Sequence, residues 1–374
     1  MEDKVLERIF EEEKQRQNNG IELIASENYP SKDVYEASGS ILMAKYAEGY
    51  PAHRYYGGCR CVDEAENLAA ERAQKLFHCL YANVQPHSGS QANFAAYHVL
   101  LKPGDKVLSL ILNDGGHLTH GSPVSFSAQT YNFVHYPLGE DGHLDLTIIE
   151  ECLEKENPNL LLAGYSAYPY EIDFKALREL VDRHNAHSPV YCYFMVDMAH
   201  IAGIIAAGLT QNPCLYADIV TTTTHKTLRG PRGGMILTND EKWIKPIKSA
   251  VFPYTQGGPL EHIIAAKAAC FGEDLQPAFK EYMTQVLTNT KACDDELRSL
   301  GCSVIPRRTG GIELFSVCSA AGLAACFTSS ATAFFSSSER GLKPVAITVI
   351  FTSSVMESSI VAPKIMFADE SIIP

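Results

Sequence analysis

The chain has 374 residues, enough for one large α/β domain and a smaller one. Its 46% apolar content can fill a sizeable core, and a net charge of −13 argues against a nucleic-acid or membrane-surface role. The eleven cysteines follow no disulfide or zinc spacing, and Met1-Glu2-Asp3-Lys4 shows no signal-peptide pattern, so reduced thiols and a cytoplasmic location are expected. Residues 3–18 read as a charged helix stopped at Asn18-Asn19-Gly20, and 62–79 as an amphipathic helix with Leu68, Ala69, Ala73, Leu76 and Phe77 inward. Strands are expected at 106–112, 131–136, 159–164, 190–196 and 217–222, alternating with helices at 88–101, 145–154 and 173–186. That alternation predicts a parallel sheet with crossover helices. Helices at 259–271 and 275–300 lead out of it.

The chemistry concentrates at strand ends. The β-branched run Asp218 to Thr224 ends at His225-Lys226, followed by Gly230 and Gly233-Gly234. Such a lysine, desolvated, has a lowered pKa and can form a Schiff base with a carbonyl. A pyridine aldehyde cofactor also needs an acid at its ring nitrogen, donors for its phosphate and a flat group against its ring. Asp197 ends the apolar run Val190 to Val196, where ligands bind in open α/β sheets; taken alone it could equally cap a helix. Ser88-Gly89-Ser90 precedes a helix and offers amides to an anion, although such a triplet is usually just a turn. Gly115-Gly116-His117-Leu118-Thr119-His120-Gly121 carries two histidines. With no carboxylate or thiol cluster in support, a flat imidazole is the better reading there than a metal site.

Seven segments occur together and in order: Ala25-Ser26-Glu27-Asn28, Lys45 to Pro51, Arg54-Tyr55-Tyr56-Gly57-Gly58, Asn83 to Ser90, Gly115 to Gly121, Val196 to His200, and Thr221 to Leu228. Jointly they resemble serine hydroxymethyltransferase, closest to the bacterial type, over about residues 5–305. The resemblance implies a fold-type I pyridoxal-phosphate transferase, α/β, with a mainly parallel sheet sandwiched by helices and a smaller C-terminal domain. It implies pyridoxal 5'-phosphate covalent on Lys226, Asp197 at the pyridinium nitrogen and His117 stacked on the ring. Ser88, Gly89 and Ser90 match the phosphate loop. Ser166 and His200 match positions near the phenolic oxygen and the amino-acid carboxylate. His225 matches a position linked to reaction specificity, Arg232 an active-site arginine, and Glu48 the proton-transfer glutamate. Ser26, Tyr46 and Tyr56 match substrate-side residues, and Leu112, Gly116 and Leu118 match folate contacts. Gly257 and Gly258 match a loop reaching the neighbouring subunit's cofactor, which implies a homodimer or homotetramer. The implied reaction interconverts serine and glycine with tetrahydrofolate as co-substrate.

The domains then read as a helical arm (1–20), a large cofactor domain (21–270), the start of a small domain (271–308) and an aberrant Ser-rich tail (309–374). The tail departs from the family. Its Leu-Arg-x-Gly-Thr stretch, whose arginine binds the substrate carboxylate, has no counterpart, and Arg340 in Ser-Glu-Arg-Gly-Leu does not replace it. An incomplete small domain and impaired serine turnover are therefore expected. Two other readings stand beside this one. A folate-independent, threonine-aldolase-like lyase would share Lys226, Asp197 and His117. An inactive scaffold subunit of an intact homologue would explain the missing arginine.

Overall fold

The computed structural model describes residues 1–21, 24–299, 347–349 and 365–367. Among them, Met1–Glu27 and the two short C-terminal strands belong to one compact unit, and Asn28–Leu297 to the other. In the first unit the helix Lys4–Asn18 is started by Asp3, whose carboxylate accepts from the Val5 and Leu6 amides, and none of its residues is buried. The strand Gly20–Ile21 pairs antiparallel with Ile365–Phe367, which pairs with Ile347–Val349. The rest of the expected Ser-rich tail lies outside the described residues, as does its charge-free run Leu314 to Ser338. No described helix is long and apolar enough to cross a membrane.

The second unit is built on seven strands: β1 (Tyr81–Asn83), β2 (Lys106–Leu110), β3 (Asn132–Tyr136), β4 (Leu160–Ala163), β5 (Tyr193–Asp197), β6 (Ile219–Thr223) and β7 (Gly234–Thr238). Their order is β1-β7-β6-β5-β4-β2-β3. From β6 to β3 every pairing is parallel, while β7 runs antiparallel to both β6 and β1. Helices Gly89–Leu100, Leu146–Glu156 and Phe174–Asn185 make the crossovers. The pleat sends alternate residues to opposite layers: Phe194 and Val196 of β5 join one apolar cluster, Met195 the other. Both faces of the central strands are covered, which is why β4 and β5 read as largely apolar runs.

The five expected strands are found, and two more, β7 and β1, extend the sheet beyond β6. β1 is too short to show a periodicity. β7 begins inside what reads as a loop, because Gly234 passes against the Ser88 carbonyl, a position with no room for a Cβ. The helix near 62–79 spans Arg60–Phe77, and Leu68 faces solvent, contrary to expectation. Beyond the sheet, helix Glu261–Asp274 lies against Arg60–Phe77, with Arg72 Nη1 donating to Ala268 O at 2.6 Å. Helix Pro277–Ser299 packs Phe279 and Met283 against Ile204 and Ala207.

Candidate active site

β5 and β6 run side by side with Asp197 opposite Thr221, so the carboxylate and the loop after β6 emerge at the same edge of the sheet. The wholly buried β6 delivers Lys226 into a loop pinned at both ends. Thr224 N donates to Gly233 O (3.1 Å) and Gly230 N to Thr224 O (2.8 Å), while Thr224 Oγ1 donates to Pro231 O (2.6 Å). Asn28 Nδ2 donates to Lys226 O at 3.0 Å. Lys226 is 7% exposed. Burial lowers its amine below the usual lysine range; Asp197 opposes that shift and Arg232 adds to it.

Asp197 accepts on Oδ2 from Asn93 Nδ2 (2.8 Å), lies 3.3 Å from His120 Nε2, and accepts on Oδ1 from Ala199 N (3.1 Å). Burial alone would raise this carboxyl, but the hydrogen bond and charge of His120, with His117 and Asn93, hold it well below the carboxylate range. It is ionised at neutral pH. Asn93 is itself fixed: its Oδ1 accepts from Thr221 Oγ1 (2.6 Å) and its Nδ2 reaches Thr119 Oγ1 (2.9 Å). Thr119 Oγ1 in turn bonds His117 Nδ1 at 2.7 Å. Three imidazoles are held neutral, chiefly by burial: His117 and His225 go down to about 4, His200 to about 3. His117, His120, Ser166, Asp197, His200 and Lys226 line one narrow cleft. The Ser166 amide is held by Gly115 O at 2.8 Å. Gly116 is buried, with no room for a Cβ beside Leu110 O; Leu112 is half-buried, and Leu118 is exposed at the rim. Arg232 is exposed, its charge felt by His225 and Lys226.

The anion loop adjoins this cleft. Ser88 caps helix Gly89–Leu100, its Oγ accepting from Gln91 N at 3.2 Å, and Ser90 is exposed in the first turn. A Cβ on Gly89 would fall 2.6 Å from Thr223 Cγ2, so the loop sits tight on β6. Lys267 stitches the segment leading into it: its fully buried ammonium donates to Val84 O (2.6 Å), Pro86 O (3.1 Å) and Gly234 O (2.8 Å).

Glu48, Tyr46, Tyr56, Gly257 and Gly258 form a second group. Tyr46 Oη donates to Glu48 Oε1 (3.4 Å) and Tyr56 Oη to Oε2 (3.3 Å), with the two rings edge to face at 5.4 Å. A Cβ on Gly258 would lie 3.2 Å from the Tyr46 ring, and one on Gly257 3.4 Å from Glu48 Oε1. Tyr46 and Tyr56 are about half exposed. Arg54 clamps the main chain on either side of Glu48, donating to Ala47 O (2.8 Å) and Gly49 O (3.0 Å), and it pairs with Asp63 (2.8 Å) and Glu66 (2.6 Å). Gln256 ties the Gly257–Gly258 loop down: it accepts from His87 N (3.0 Å) and donates to Gln85 O (3.0 Å). Among the described residues no hydrogen bond, ion pair or ring contact joins this group to the Lys226 cleft. Ser26 sits half-buried in a turn of the first unit.

Sequence reading missed Asn93, His120 as a partner of Asp197, Lys267, Arg54 and Gln256. For two of them a signal was present: Asn93 is a lone amide in the apolar stripe Ala92, Ala96, Tyr97, Leu100, and Lys267 a lone cation in Ile263 to Ala269.

The cleft fits pyridoxal phosphate on its own features. Thr223 Oγ1 is buried beside the anion loop with no hydrogen-bond partner among the described residues. An ionised, fixed carboxylate suits a ring N–H, and a desolvated amine suits an aldehyde. A family model for serine hydroxymethyltransferase matches residues 1–314, a span that takes in both residue groups; the chain belongs to the serine hydroxymethyltransferase family, the pyridoxal-phosphate transferases that interconvert serine and glycine in one-carbon metabolism.

Proposed function

We propose that this chain moves the hydroxymethyl carbon of serine to tetrahydrofolate, leaving glycine, with pyridoxal 5'-phosphate covalent on Lys226. The observation that carries the reading is the buried Lys226 amine sharing a cleft with the ionised, Asn93-anchored Asp197 carboxylate. The cofactor, when bound, supplies an electron sink for the bond that breaks at the substrate Cα. Asp197 would hold the proton on the ring nitrogen. Ser88, Gly89 and Ser90 would present helix-start amides to the phosphate, with Thr223 Oγ1 alongside. His117 would lie flat against the ring, and neutral His200 and Ser166 would orient the amino acid by hydrogen bonds. Its lowered pKa makes the Lys226 amine a better nucleophile and proton carrier than an exposed lysine. The Arg232 charge lowers that amine further, and His225 beside it keeps its proposed link to reaction specificity.

Glu48, bridged by two tyrosine hydroxyls, is suited to move protons between the substrate hydroxyl and the folate. Leu112, Gly116 and Leu118 would form the folate side, to which the exposure of Leu118 is suited. Within one chain, no hydrogen bond, ion pair or ring contact among the described residues joins the Glu48 group to the cleft. A homodimer, or a tetramer of such dimers, in which each chain lends Glu48, Tyr46, Tyr56, Gly257 and Gly258 to its partner accounts for that separation. Ser26 keeps its proposed place on the substrate side.

The deciding experiment is serine cleavage by the full chain with and without tetrahydrofolate, alongside Lys226→Ala. Folate-dependent cleavage, and loss in the variant of the cofactor that borohydride otherwise fixes to the chain, are expected. Equal rates without folate would instead favour the lyase. Because no Leu-Arg-x-Gly-Thr stretch is present, turnover is expected to fall at least about a hundredfold below that of a chain carrying a family-type C-terminal segment, by analogy with the roughly 3–5 kcal/mol of a broken buried ion pair. Ordinary rates in the chain as it stands would refute that part.

A further inference from the structure

We propose that Glu154, His184 and His187 form a binding site for a divalent transition-metal ion of the zinc type. Glu154 lies in the last turn of helix Leu146–Glu156, and His184 in the last turn of helix Phe174–Asn185. His187 follows in a turn held by His187 N and Ser188 N on His184 O, at 3.2 and 2.9 Å. Glu154 Oε1 lies 2.9 Å from His184 Nδ1 and Oε2 lies 2.9 Å from His187 Nε2. All the donor atoms fall within 4.8 Å of one another. A tetrahedral ion with bonds of about 2.0–2.1 Å holds its ligand atoms about 3.3 Å apart. The donors therefore need only small rotations to close on an ion, with water as fourth ligand. Two imidazoles and one carboxylate suit zinc.

The frame is rigid where rigidity matters. The His184 ring is 1% exposed, so its Nδ1 is aimed by packing rather than by chance rotation. One turn earlier, Arg183 already pairs with Glu150 at 2.8 Å, which leaves the Glu154 carboxylate to the imidazoles. One feature weakens the site: His184 Nε2 is buried without a partner among the described residues. A metal-bound imidazole whose N–H lacks an acceptor binds roughly 10–100-fold less tightly than one with that support. The other donor cluster of this spacing, His117, His120 and Asp197, belongs to the cofactor cleft. The new cluster stands at the opposite edge of the sheet. Its two helices lead into the starts of β4 and β5, whereas Asp197 lies at the end of β5. Bound cofactor and bound metal do not compete.

The test is equilibrium dialysis of the full, cofactor-loaded chain against Zn²⁺ in the micromolar range, with ions counted per chain and melting followed in parallel. His187→Ala and Glu154→Gln are each expected to bind one ion fewer than the unmutated chain and to lose the metal-induced rise in melting temperature. His187 is 60% exposed, so its removal leaves folding intact. Replacing the exposed Cys61 and Cys293 by serine should leave that ion in place. The proposal is overturned if His187→Ala binds as many ions as the unmutated chain. It is equally overturned if the ion is lost only with the cysteines, or if the unmutated chain retains none.

Discussion

At the scale of single residues, Asn93 carries more of the site than its position suggests. It holds the Asp197 carboxylate, Thr119 and Thr221 at once, and Thr119 holds His117. Replacing it by alanine leaves buried partners unpaired, about 1–3 kcal/mol. Asn93→Ala is therefore expected to weaken cofactor retention roughly ten- to a hundredfold, read by titrating apo-protein with pyridoxal phosphate and following absorbance. Unchanged affinity would show Asp197 to be fixed by His120 and Ala199 alone. The neutral histidines give a pH signature. Their folded pKa values lie below the free value near 6.5, so the stability they contribute is complete above about 6.5 and is lost as pH falls toward 4. Melting temperature of the apo-protein should drop across that window, and less steeply in His117→Asn.

At the scale of elements, the antiparallel β7 organises the anion loop. Gly234 passes against the Ser88 carbonyl, and Lys267 bonds carbonyls on both segments. A methyl group on Gly234 must push the two apart. Gly234→Ala is expected to cost about 1–3 kcal/mol, as overpacked sites do, seen as a lower urea midpoint together with weaker cofactor binding. A normal midpoint would mean that the contact relaxes freely. Elements of this kind also mark the limit of sequence reading. β2, β4 and β5 were legible because strands buried on both faces are largely apolar, and β6 because it is a β-branched run. β1 has three residues, and β7 opens on glycines whose purpose is a close approach in space. Lys226, Asp197 and Ser88–Ser90 were legible because each stands just after a strand or at a helix start, and His117 because it lies in a glycine-flanked loop. Gln256 acts on main chain about 170 residues away, and Arg54 on carbonyls of an irregular segment, so no periodic pattern reports either.

At the scale of the molecule, the two groups of residues that the proposed reaction uses share no hydrogen bond, ion pair or ring contact among the described residues of one chain. If each chain completes its partner's cleft, Lys226→Ala and Glu48→Gln are inactive alone but complement each other when mixed and reassociated. Random pairing makes half the dimers mixed with one intact site of two, giving about a quarter of the unmutated rate. No recovery would place Glu48 in its own chain's site or outside catalysis. Alkaline stability should depend on Glu261, which is 1% exposed and whose carboxyl has no hydrogen-bond partner among the described residues. Burial, reinforced by the Glu66 charge and opposed by Arg54, raises it to about 8. A raised acid contributes stability below its unfolded pKa, near 4.3, and loses it as pH rises through 8. Glu261→Gln should therefore flatten the decline in melting temperature between pH 5 and 9.

The ten-residue loop that carries Lys226 is closed at its base like a purse, by Thr224 to Gly233 and Gly230 to Thr224. On the proposed function, a lysine that bonds and releases a cofactor in every cycle swings its side chain from a main chain that stays still. Hydrogen exchange would register this as slow amides at Thr224, Gly230 and Gly234, as protected as the neighbouring strands although they belong to a loop or its border. The moving part of this site is then four methylenes long.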